Sequence, residues 1–530
     1  MLLHMGGVNM AQIMTDWNIT GTVTVMVVLA TALYKWRLWK LSLFKRMGIP
    51  GPAPHLITGN FDQLWTSDTV KVMDKWSKQY GDMYGIYNGD APFLMVKDLE
   101  LIQRVFITDF SLFMDRGDVW STMSGNQYIC RALSFVAGNQ WRFIRRPVSA
   151  AFTGSKMRLM MPAMNEAVDR FIDLLEERCL KAPDGAANIH ALIGSLAFDV
   201  VAETACGLYL DVQHKVNDEY FESARSYVLN TVESAYQRIG QFFSRVRSIM
   251  ALTCMLERHF GGEPLTALAR KSEPVVVLRE KDQSLARADV IQSLLNTKVP
   301  EELLRWRHFR ERTDDKGNFL MPLKDIATNA ATLLTAGFET VSASGSICAF
   351  CIARHPEVQE KIRREVNAIY EKYEGFTYDA IKDLTYTRQT IDECLRLYPS
   401  VIAFTSRKAS CDYPYKDMVL PKGVSIMACT EQIHKDPRFW DRPEEFDPDR
   451  FSPEQKASRH PLAFQPFGAG ARNCVGMRLA QVELILIVAK LVHKFRLHLG
   501  SKHANGELER KTESIIASPK DGVWIRVQHI

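Results

Sequence analysis

The sequence predicts a mainly α-helical protein with small β-sheets, an α+β arrangement that follows a single N-terminal apolar helix. Segments with helical periodicity fill most of the chain after about residue 140, whereas strand-like stretches are few and short. The 530 residues and the 46% hydrophobic content are enough for one large buried core. No repeat or long flexible linker interrupts the sequence after residue 56, so we expect one domain over residues 57–530.

The first element is an uncharged run of eighteen residues, from Trp17 to Tyr34, which is close to the length that spans a bilayer. No Lys or Arg precedes it, and basic residues follow at positions 35, 37, 40, 45 and 46. Because basic flanks stay in the cytosol, this pattern predicts a luminal N-terminus over residues 1–16 and a transmembrane signal-anchor helix over residues 17–36. A cleaved signal peptide is the alternative, since Ala30-Thr31-Ala32 is similar to a cleavage site, but no positive charge precedes the run.

A basic and proline-rich segment, residues 37–56, follows the apolar helix. It contains Pro50-Gly51-Pro52-Ala53-Pro54, and prolines at this density stop a helix and favour an extended backbone. We therefore expect a stop-transfer segment and a stiff hinge between a membrane anchor and the domain that follows.

The domain begins with a predicted hairpin and continues mostly as helices. Residues 84–87 and 92–96 alternate like strands around Asn88-Gly89-Asp90. Helical periodicity covers residues 141–152, 157–180, 191–206, 217–247, 323–354, 356–373 and 384–398, and a last helix is expected from about 474 to 495. Residues 419–426 are predicted to form a strand, a turn and a second strand.

Charge and cysteine content argue against a nucleic-acid-binding protein and against a cysteine-rich zinc protein. The net charge of +5 is modest, so we expect no nucleic-acid partner. Cys348 and Cys351 form the one C-x-x-C, which lies in an apolar helical run without a second pair to complete a zinc site. We expect Cys348 and Cys351 to be small buried side chains, with a redox pair as the alternative, and the cysteine pattern suits a reducing compartment on the cytosolic side.

The most informative segment is the glycine-rich loop from Phe467 to Gly476, which presents Cys474 just before a helix-patterned run. Glycines let the backbone approach a flat ligand closely. A cysteine at a helix N-terminus lies where the helix dipole stabilises a thiolate, and a thiolate is a ligand for haem iron. A glycine-rich turn with a buried structural cysteine is the alternative.

This loop resembles the haem-binding loop of the cytochromes P-450, the haem-thiolate monooxygenases, in the spacing of its Phe, Gly, Arg and Cys residues. The resemblance implies that haem b is bound, that Cys474 is the axial ligand of its iron and that Phe467 shields the thiolate. It also implies a mainly α fold with small sheets. Residues 48–52 and 473–478 are most similar to the branch that contains the 3A-type enzymes and thromboxane synthase.

A second motif, Ala336-Gly337-Phe338-Glu339-Thr340, lies inside the long predicted helix 323–354. A glycine inside a helix costs about 1 kcal/mol relative to alanine and so usually has a reason. The motif resembles the oxygen-binding kink of the same family. This implies that Ala336 and Gly337 lie against the haem, and that Thr340 and Glu339 are catalytic residues that relay protons to dioxygen. An amphipathic helix with a chance glycine is the alternative.

A third motif joins an acid and two arginines. Glu393 and Arg396 share one face of a predicted helix and can pair. Together with Arg450 they resemble the Glu–Arg–Arg cluster that locks the core around the haem loop in this family.

A fourth motif, Trp141-Arg142-Phe143-Ile144-Arg145, places an indole and a guanidinium one helical turn apart. Both groups donate hydrogen bonds to carboxylates. The resemblance implies that Trp141 and Arg145, with Arg407 and Arg472, hold the two haem propionates. His434 is expected to be structural, because no second ligand has metal-site spacing.

The resemblance implies a monooxygenase that inserts one oxygen atom from dioxygen into a lipophilic substrate, such as a xenobiotic, a steroid or a fatty-acid-like molecule. Electrons are expected from NADPH through the membrane-bound NADPH–cytochrome P-450 reductase, with cytochrome b5 as a second candidate donor. The expected location is the endoplasmic reticulum membrane, with the catalytic domain on the cytosolic side.

Two other functions remain open at this point. An isomerase acting on a peroxide, as thromboxane synthase does, needs neither dioxygen nor a reductase, but such enzymes tend to lack the acid–alcohol pair found here at Glu339 and Thr340. A membrane-anchored haem sensor or lipid-binding protein is the other possibility.

The substrate pocket is expected to be apolar and lined by residues 119–134, Asn329, Leu333, Ala336, 401–404 and 515–517. One hypothesis is that Arg131 faces this pocket and attracts a carboxylate on the substrate. A solvent-facing arginine or a contact with a haem propionate is the alternative.

Overall fold

The computed structural model describes residues 10–66, 68–119, 128–215, 217–230, 235–244, 246–256, 259–260, 264–513 and 515–530. Most of this part of the chain is helical, and its strands are short, as the sequence pattern predicts. The α-helices are α1 Met10–Lys40, α2 Leu43–Arg46, α3 Phe61–Leu64, α4 Thr69–Tyr80, α5 Leu99–Gln103, α6 Gly138–Ala150, α7 Gly154–Lys181, α8 Ile189–Cys206, α9 Glu219–Asn230, α10 Ala235–Phe242, α11 Arg247–Leu256, α12 Pro264–Lys281, α13 Val290–Leu295, α14 Leu323–Arg354, α15 Pro356–Tyr373, α16 Tyr378–Asp383, α17 Thr385–Leu397, α18 Thr430–His434, α19 Pro453–Ala457 and α20 Met477–Lys494.

The strands form small sheets at the periphery of the helices. They are β1 Met83–Asn88, β2 Ala91–Val96, β3 Ala186–Asn188, β4 Ser406–Lys408, β5 Tyr413–Tyr415, β6 Met418–Leu420, β7 Ser425–Ala428, β8 Phe495–Leu499, β9 Arg510–Glu513, β10 Ile516–Pro519 and β11 Trp524–His529. The largest sheet has the order β1-β2-β7-β4, in which only the β2–β7 pair is parallel. A second sheet has the order β3-β11-β8, and β5–β6 and β9–β10 are separate antiparallel pairs.

Helix α14 runs through the centre of the core and packs against α8, α12 and α20. Most of its residues are buried, because it is covered on nearly all sides. Within the described residues, α8 and α14 are long and apolar enough to cross a membrane, but each is 72% buried inside the protein. Both are therefore core helices of the domain.

The N-terminal helix α1 differs from these two helices in its exposure. Its residues 21–36 are all exposed and largely apolar, whereas Arg37 is buried. The Arg37 guanidinium donates to Leu56 O at 2.8 Å, to Ile57 O at 2.7 Å and to Phe242 O at 3.0 Å, and its Nη1 lies 3.7 Å from Asp90 Oδ2. The end of α1 is therefore tied to the domain by one buried cation.

The proline-rich segment lies along the domain. Gly85 N–H donates to Pro50 O at 2.8 Å, and a Cβ on Gly51 would lie 2.0 Å from Gly85 O. Phe44 and Ile49 are buried in the same cluster as Tyr87. Residues 37–56 therefore pack against the first sheet, where the sequence pattern suggested only a hinge.

Most predicted helices and the hairpin are found, with three differences. The single helix expected over residues 217–247 does not reach residue 247, because α10 ends at Phe242 and α11 begins at Arg247. Helix α10 ends where backbone groups bind to side chains of other segments. The carbonyl oxygen of Phe242, its last residue, accepts from Arg37, and Ser244 N–H donates to Asp90 at 3.1 Å. The predicted strands in 419–426 exist, but β6 and β7 belong to different sheets. The last helix begins at Met477, three residues after Cys474.

Candidate functional site

The loop from Phe467 to Gly476 is a tight turn fixed by its own backbone. Cys474 N–H donates to Phe467 O at 2.8 Å, and Asn473 N–H donates to Gly470 O at 3.0 Å. Gly470 has φ +71°, and a Cβ there would lie 1.8 Å from Phe106 O. Glycine is therefore required at this position by close contact with a neighbouring backbone, which holds the loop and its cysteine in place.

The Cys474 thiol faces an internal space. Its side chain is exposed, yet desolvation by the surrounding protein raises the pKa of its thiol. The Gly476 N–H and the charges of Arg145 and Arg116 act in the opposite direction, but the desolvation effect is larger. Desolvation therefore outweighs the helix terminus at this thiol, and an iron ion bound to the sulfur would displace the proton.

Helix α14 presents a second surface that is open inside the core. Ala336 is exposed although it lies in the middle of this buried helix. Thr340 is partly exposed, and its Oγ1 donates to Ala336 O at 3.0 Å. Gly337 lies against α8, where a Cβ would approach Val201 Cγ2 to 2.8 Å. The glycine of this motif is thus explained by close helix packing, which places Ala336 and Thr340 at an open surface.

Four arginines converge near Cys474: Arg116, Arg145, Arg407 and Arg472. Burial and the charges of the other arginines lower the pKa of Arg116 to about 10 and that of Arg472 to about 9. The same causes lower the pKa of Arg407. Asp115 is the one carboxylate in an ion pair with this group among the described residues, and its Oδ1 is 4.0 Å from Arg472 Nη2.

Several donors of this arginine cluster have no acceptor. Arg407 Nε and both Nε and Nη1 of Arg472 are buried without a hydrogen-bond partner in the described structure. Trp141 lies under Arg472, with 4.4 Å from the guanidinium carbon to the ring centroid. Unpaired buried donors and mutually repelling cations are unfavourable, so the site requires an anion with several acceptor oxygens.

These features fit haem. Its two propionates would supply acceptor oxygens for the arginine cluster and Trp141, and its iron would take the Cys474 sulfur. Four residues of this site were predicted from the sequence, and the structure brings them together: Trp141, Arg145, Arg407 and Arg472. Arg116 was missed. It follows a loop aspartate and carries no periodic signal, so only its position beside Arg145 and Cys474 reveals it.

Arg131 has a different partner from the one suggested by the sequence. Its Nη1 lies 2.5 Å from Oδ1 of Asp325, at the start of α14, and His308 Nε2 is 3.9 Å from the other oxygen. Burial raises the pKa of Asp325 to about 6 in spite of this arginine. The Arg131 charge is thus paired with Asp325 within the protein, and the substrate-carboxylate hypothesis stays a prediction.

The expected pocket lining is only partly described. Asn329 is buried and not free, because its Oδ1 accepts from Leu133 N–H at 2.8 Å and its Nδ2 donates to Arg131 O at 3.2 Å. Residues 401–404 and 515–517 are adjacent, since Ile402 N–H donates to Ile515 O at 3.1 Å. Residues 120–127, which were also expected to line the pocket, lie outside the described part of the chain.

The acid–arginine cluster is closed and solvent-free. Arg396 Nε is 2.7 Å from Glu393 Oε2, and Nη2 is 2.9 Å from Oε1, with both side chains 0% exposed. Arg450 Nε lies 3.5 Å from Glu393 Oε1. Arg396 also donates to the carbonyl oxygens of His434 and Pro443, so the cluster ties α17 to the segment that leads to the Cys474 loop. His434 is buried and accepts from Gln465 N–H at 2.9 Å, which is a structural role.

The chain is similar in sequence to known proteins over most of its length. Residues 49–525 match the cytochrome P-450 family. Cytochrome P-450 6a8 of Drosophila melanogaster is 29% identical over 510 residues, which cover 93% of this chain and 95% of that protein. Cytochrome P-450 3A29 of Sus scrofa is 28% identical over 474 residues, or 88% and 90% of the two chains. Cytochrome P-450 3A5 of Homo sapiens is 28% identical over 477 residues, or 89% of each chain. The chain therefore belongs to the cytochrome P-450 family and is a haem-thiolate monooxygenase.

Proposed function

We propose that this protein is a membrane-anchored monooxygenase that oxidises a lipophilic substrate with electrons from NADPH, delivered by a reductase. The observation that carries the proposal is the juxtaposition of an accessible Cys474 thiol with arginines whose buried donors have no acceptor. Haem, when bound, supplies a thiolate-ligated iron that activates dioxygen. The remaining work falls to residues of this chain.

The binding residues orient the cofactor. Arg116, Arg145, Arg407 and Arg472, with the Trp141 indole, would hold the propionates at one edge. Phe467 and Gly470 fix the loop that presents the Cys474 sulfur, and Ala336 would form the opposite wall, with Gly337 behind it keeping α14 close to α8. On this assignment, the small side chains of α14 leave room for the cofactor and a bound substrate.

Glu339 and Thr340 would hold and move protons on the substrate side. Thr340 Oγ1 lies at the open surface of α14 and is anchored to Ala336 O, so its lone pairs remain available to accept a proton. Glu339 is the adjacent residue and the nearest acid along the helix. The presence of both residues favours monooxygenation over peroxide isomerisation, which consumes no protons.

The proposed electron donor is an NADPH–cytochrome P-450 reductase, with cytochrome b5 as a second donor. Arg142 and Arg146 on α6 and Arg478 on α20 are exposed and make no ion pair within the described residues, so they are candidates to meet an acidic partner. Lys435 is a weaker candidate because it pairs with Glu431 at 3.0 Å.

We also propose that α1 anchors the protein in the endoplasmic reticulum membrane, with the domain in the cytosol. Support comes from the exposed apolar residues 21–36 and the basic residues that follow them. On this assignment residues 17–36 span the bilayer, residues 1–16 are luminal and residues 57–530 form the catalytic domain. The luminal residues 1–9 lie outside the described part of the chain.

The first experiment is the carbon monoxide spectrum of the reduced full-length protein in nanodiscs. We expect a red-shifted Soret band typical of thiolate ligation, which Cys474→Ser abolishes and Cys411→Ser leaves intact. A band typical of histidine-ligated haem in fresh wild-type protein would contradict the proposal. Product formation from lipophilic substrates should then require both NADPH and reductase, whereas peroxide-driven turnover without either would indicate an isomerase.

A further inference from the structure

The turn between β1 and β2, residues 88–90, holds the end of the N-terminal helix α1. Asp90 in this turn is buried, and its Oδ2 lies 3.7 Å from Nη1 of Arg37. The other Asp90 oxygen accepts from Ser244 N–H at 3.1 Å and from the Ser244 hydroxyl. Arg37 also donates to Phe242 O at 3.0 Å. This ion pair therefore joins α1 to the end of α10 and to the residues that follow it.

The same turn packs directly against α10. A Cβ on Gly89 would lie 2.1 Å from Gln241 O, so the turn and the helix are in close backbone contact. The Gln241 side chain is 2% exposed, and its Nε2 donates to Asn88 O at 3.0 Å and to Asp118 O at 3.2 Å. A side-chain amide nitrogen has two protons, and both are used here. Gln241 thus connects α10 to the turn and to a third segment.

The third segment held at this turn is residues 115–119. Asn88 Nδ2 donates to Val119 O at 2.8 Å, beside the bond from Gln241 to Asp118 O. The carbonyl oxygens of two successive residues are therefore bound by buried side chains from the turn and from α10. The position of this segment depends on both.

The segments joined in this way border the proposed haem site. Arg116 lies in residues 115–119 and belongs to the arginine cluster beside Cys474. Residues 115–119 line a cavity of about 740 Å³, which Ser244 and Phe404 line as well. Because the β1–β2 turn holds both residues 115–119 and Ser244, it fixes two parts of the cavity wall.

We propose that the β1–β2 turn couples α1 to this cavity wall and that Arg37 is a positioning residue of the junction. The inference rests on the proposed function, in which α1 is the membrane anchor and the substrate binds beside the haem. Replacing Arg37 removes a cation from the buried Asp90 carboxylate and a donor from Phe242 O, which loosens the contacts of the turn with Ser244 and α10. The wall is then ordered for only part of the time, and a ligand that needs the ordered wall binds more weakly in proportion.

The first test measures order at the junction and does not require turnover. Amide hydrogen exchange of the full-length protein in nanodiscs is followed in residues 115–119 and 241–244. Arg37→Met should speed exchange in both segments by about tenfold or more, the effect of losing a hydrogen bond to a charged group. Lys45→Met is the matched control, because it removes an exposed cation from α2. Unchanged exchange in residues 115–119 would overturn the coupling, even where residues 241–244 exchange faster.

The second test separates ligand positioning from haem binding. The probe is 4-phenylimidazole, whose binding to haem iron shifts the Soret band. Arg37→Met should keep the thiolate-type carbon monoxide spectrum and raise the apparent Kd of the probe by about threefold to tenfold. If this variant is purified without haem, the double substitution Arg37→Met and Asp90→Asn, which removes both charges, is measured with the same expectation. A Kd equal to that of the wild type would refute the inference, whereas a wild-type spectrum without thiolate character would refute the proposed function.

Discussion

Breaking the buried Glu393–Arg396 pair should destabilise the protein and prevent haem incorporation, whereas breaking an exposed ion pair should do neither. Both side chains are 0% exposed, so removing one partner leaves a charge with no access to water. The usual cost of breaking a buried pair in this way is about 3–5 kcal/mol. Such a loss is a large fraction of the stability of a typical domain, about 5–15 kcal/mol.

The contacts of the two residues predict which substitution is worse. In Glu393→Ala, Arg396 still donates to the carbonyl oxygens of His434, Pro443 and Glu445, so we expect the lower end, about 3 kcal/mol. Arg396→Ala loses those bonds as well, so we expect the upper end, about 5 kcal/mol. Desolvation raises the pKa of Glu393, and the Arg396 charge and hydrogen bonds act in the opposite direction. Removal of Arg396 should therefore raise the pKa of Glu393 further.

This last effect gives Arg396→Ala a distinctive pH dependence. A carboxyl whose pKa is raised in the folded protein stabilises it at low pH, and this contribution is lost as pH rises through the folded pKa. The destabilisation by Arg396→Ala should therefore grow as pH is raised above the pKa of glutamate in the unfolded chain, which is about 4.3. Wild-type protein should not show this added slope.

The assay combines urea unfolding with the carbon monoxide spectrum of the purified variants. Glu177→Ala is the control: it removes one partner of an exposed pair with Lys181 on α7, and should change stability by no more than about 1 kcal/mol. We expect both cluster variants to be purified largely without haem. Normal haem content and unfolding within about 1 kcal/mol of wild type in Arg396→Ala would refute the reasoning.

Three further substitutions test the site and its supports. Arg116→Ala should raise the melting temperature of haem-free protein, because it removes one of four cations that repel each other. The same substitution should speed haem transfer to apomyoglobin, because a charged hydrogen bond worth about 1.5–3 kcal/mol is lost. Slower transfer would contradict this prediction. Gly470→Ala should abolish haem binding because its Cβ would lie 1.8 Å from Phe106 O, whereas Gly476→Ala, with no atom within 4 Å of its Cβ, should be normal; equal spectra would count against the close contact. Burial and the Arg396 charge lower the pKa of His434 to about 3. A histidine whose pKa is lowered in the folded protein stabilises it above the pKa of histidine in the unfolded chain, and this contribution is lost as pH falls. The free energy of unfolding of the wild type should therefore fall by about 1.4 kcal/mol more than that of His434→Gln between pH 7.5 and 5.5 in urea titrations. Parallel pH curves for the two proteins would contradict a buried neutral His434.

The parts of the site that could be predicted from the sequence are those fixed by local spacing. Glu393 and Arg396 lie three residues apart on one helix, and Trp141 and Arg145 lie one turn apart on another, so periodicity places each pair on one face. The boundaries of α14 and α15 follow from the same signal and from Pro356, which begins a new helix. In these cases the chain itself supplies the geometry.

The parts that could not be predicted depend on contacts between distant segments. Arg131 and Asp325 are 194 residues apart in sequence, and neither has a pattern that identifies the other as its partner. Arg116 lies in a loop without periodicity. The helix expected over residues 217–247 is interrupted because Arg37 and Asp90 bind its backbone. Each of these outcomes is set by tertiary structure, which overrides a local preference.

Two buried arginines, Arg396 and Arg472, illustrate how a cofactor edge can be recognised from protein atoms alone. Arg396 is fully buried, but every direction in which it can donate is filled by Glu393 or by a backbone carbonyl, so it needs nothing further. Arg472 is similarly buried, yet two of its nitrogens have no acceptor and its nearest carboxylate is 4.0 Å away. Residue type, burial and family motif are alike in the two cases. The difference is that Arg472 lacks acceptors and has no carboxylate closer than 4.0 Å, whereas Arg396 is paired directly with Glu393, so an anionic ligand would complete the surroundings of Arg472.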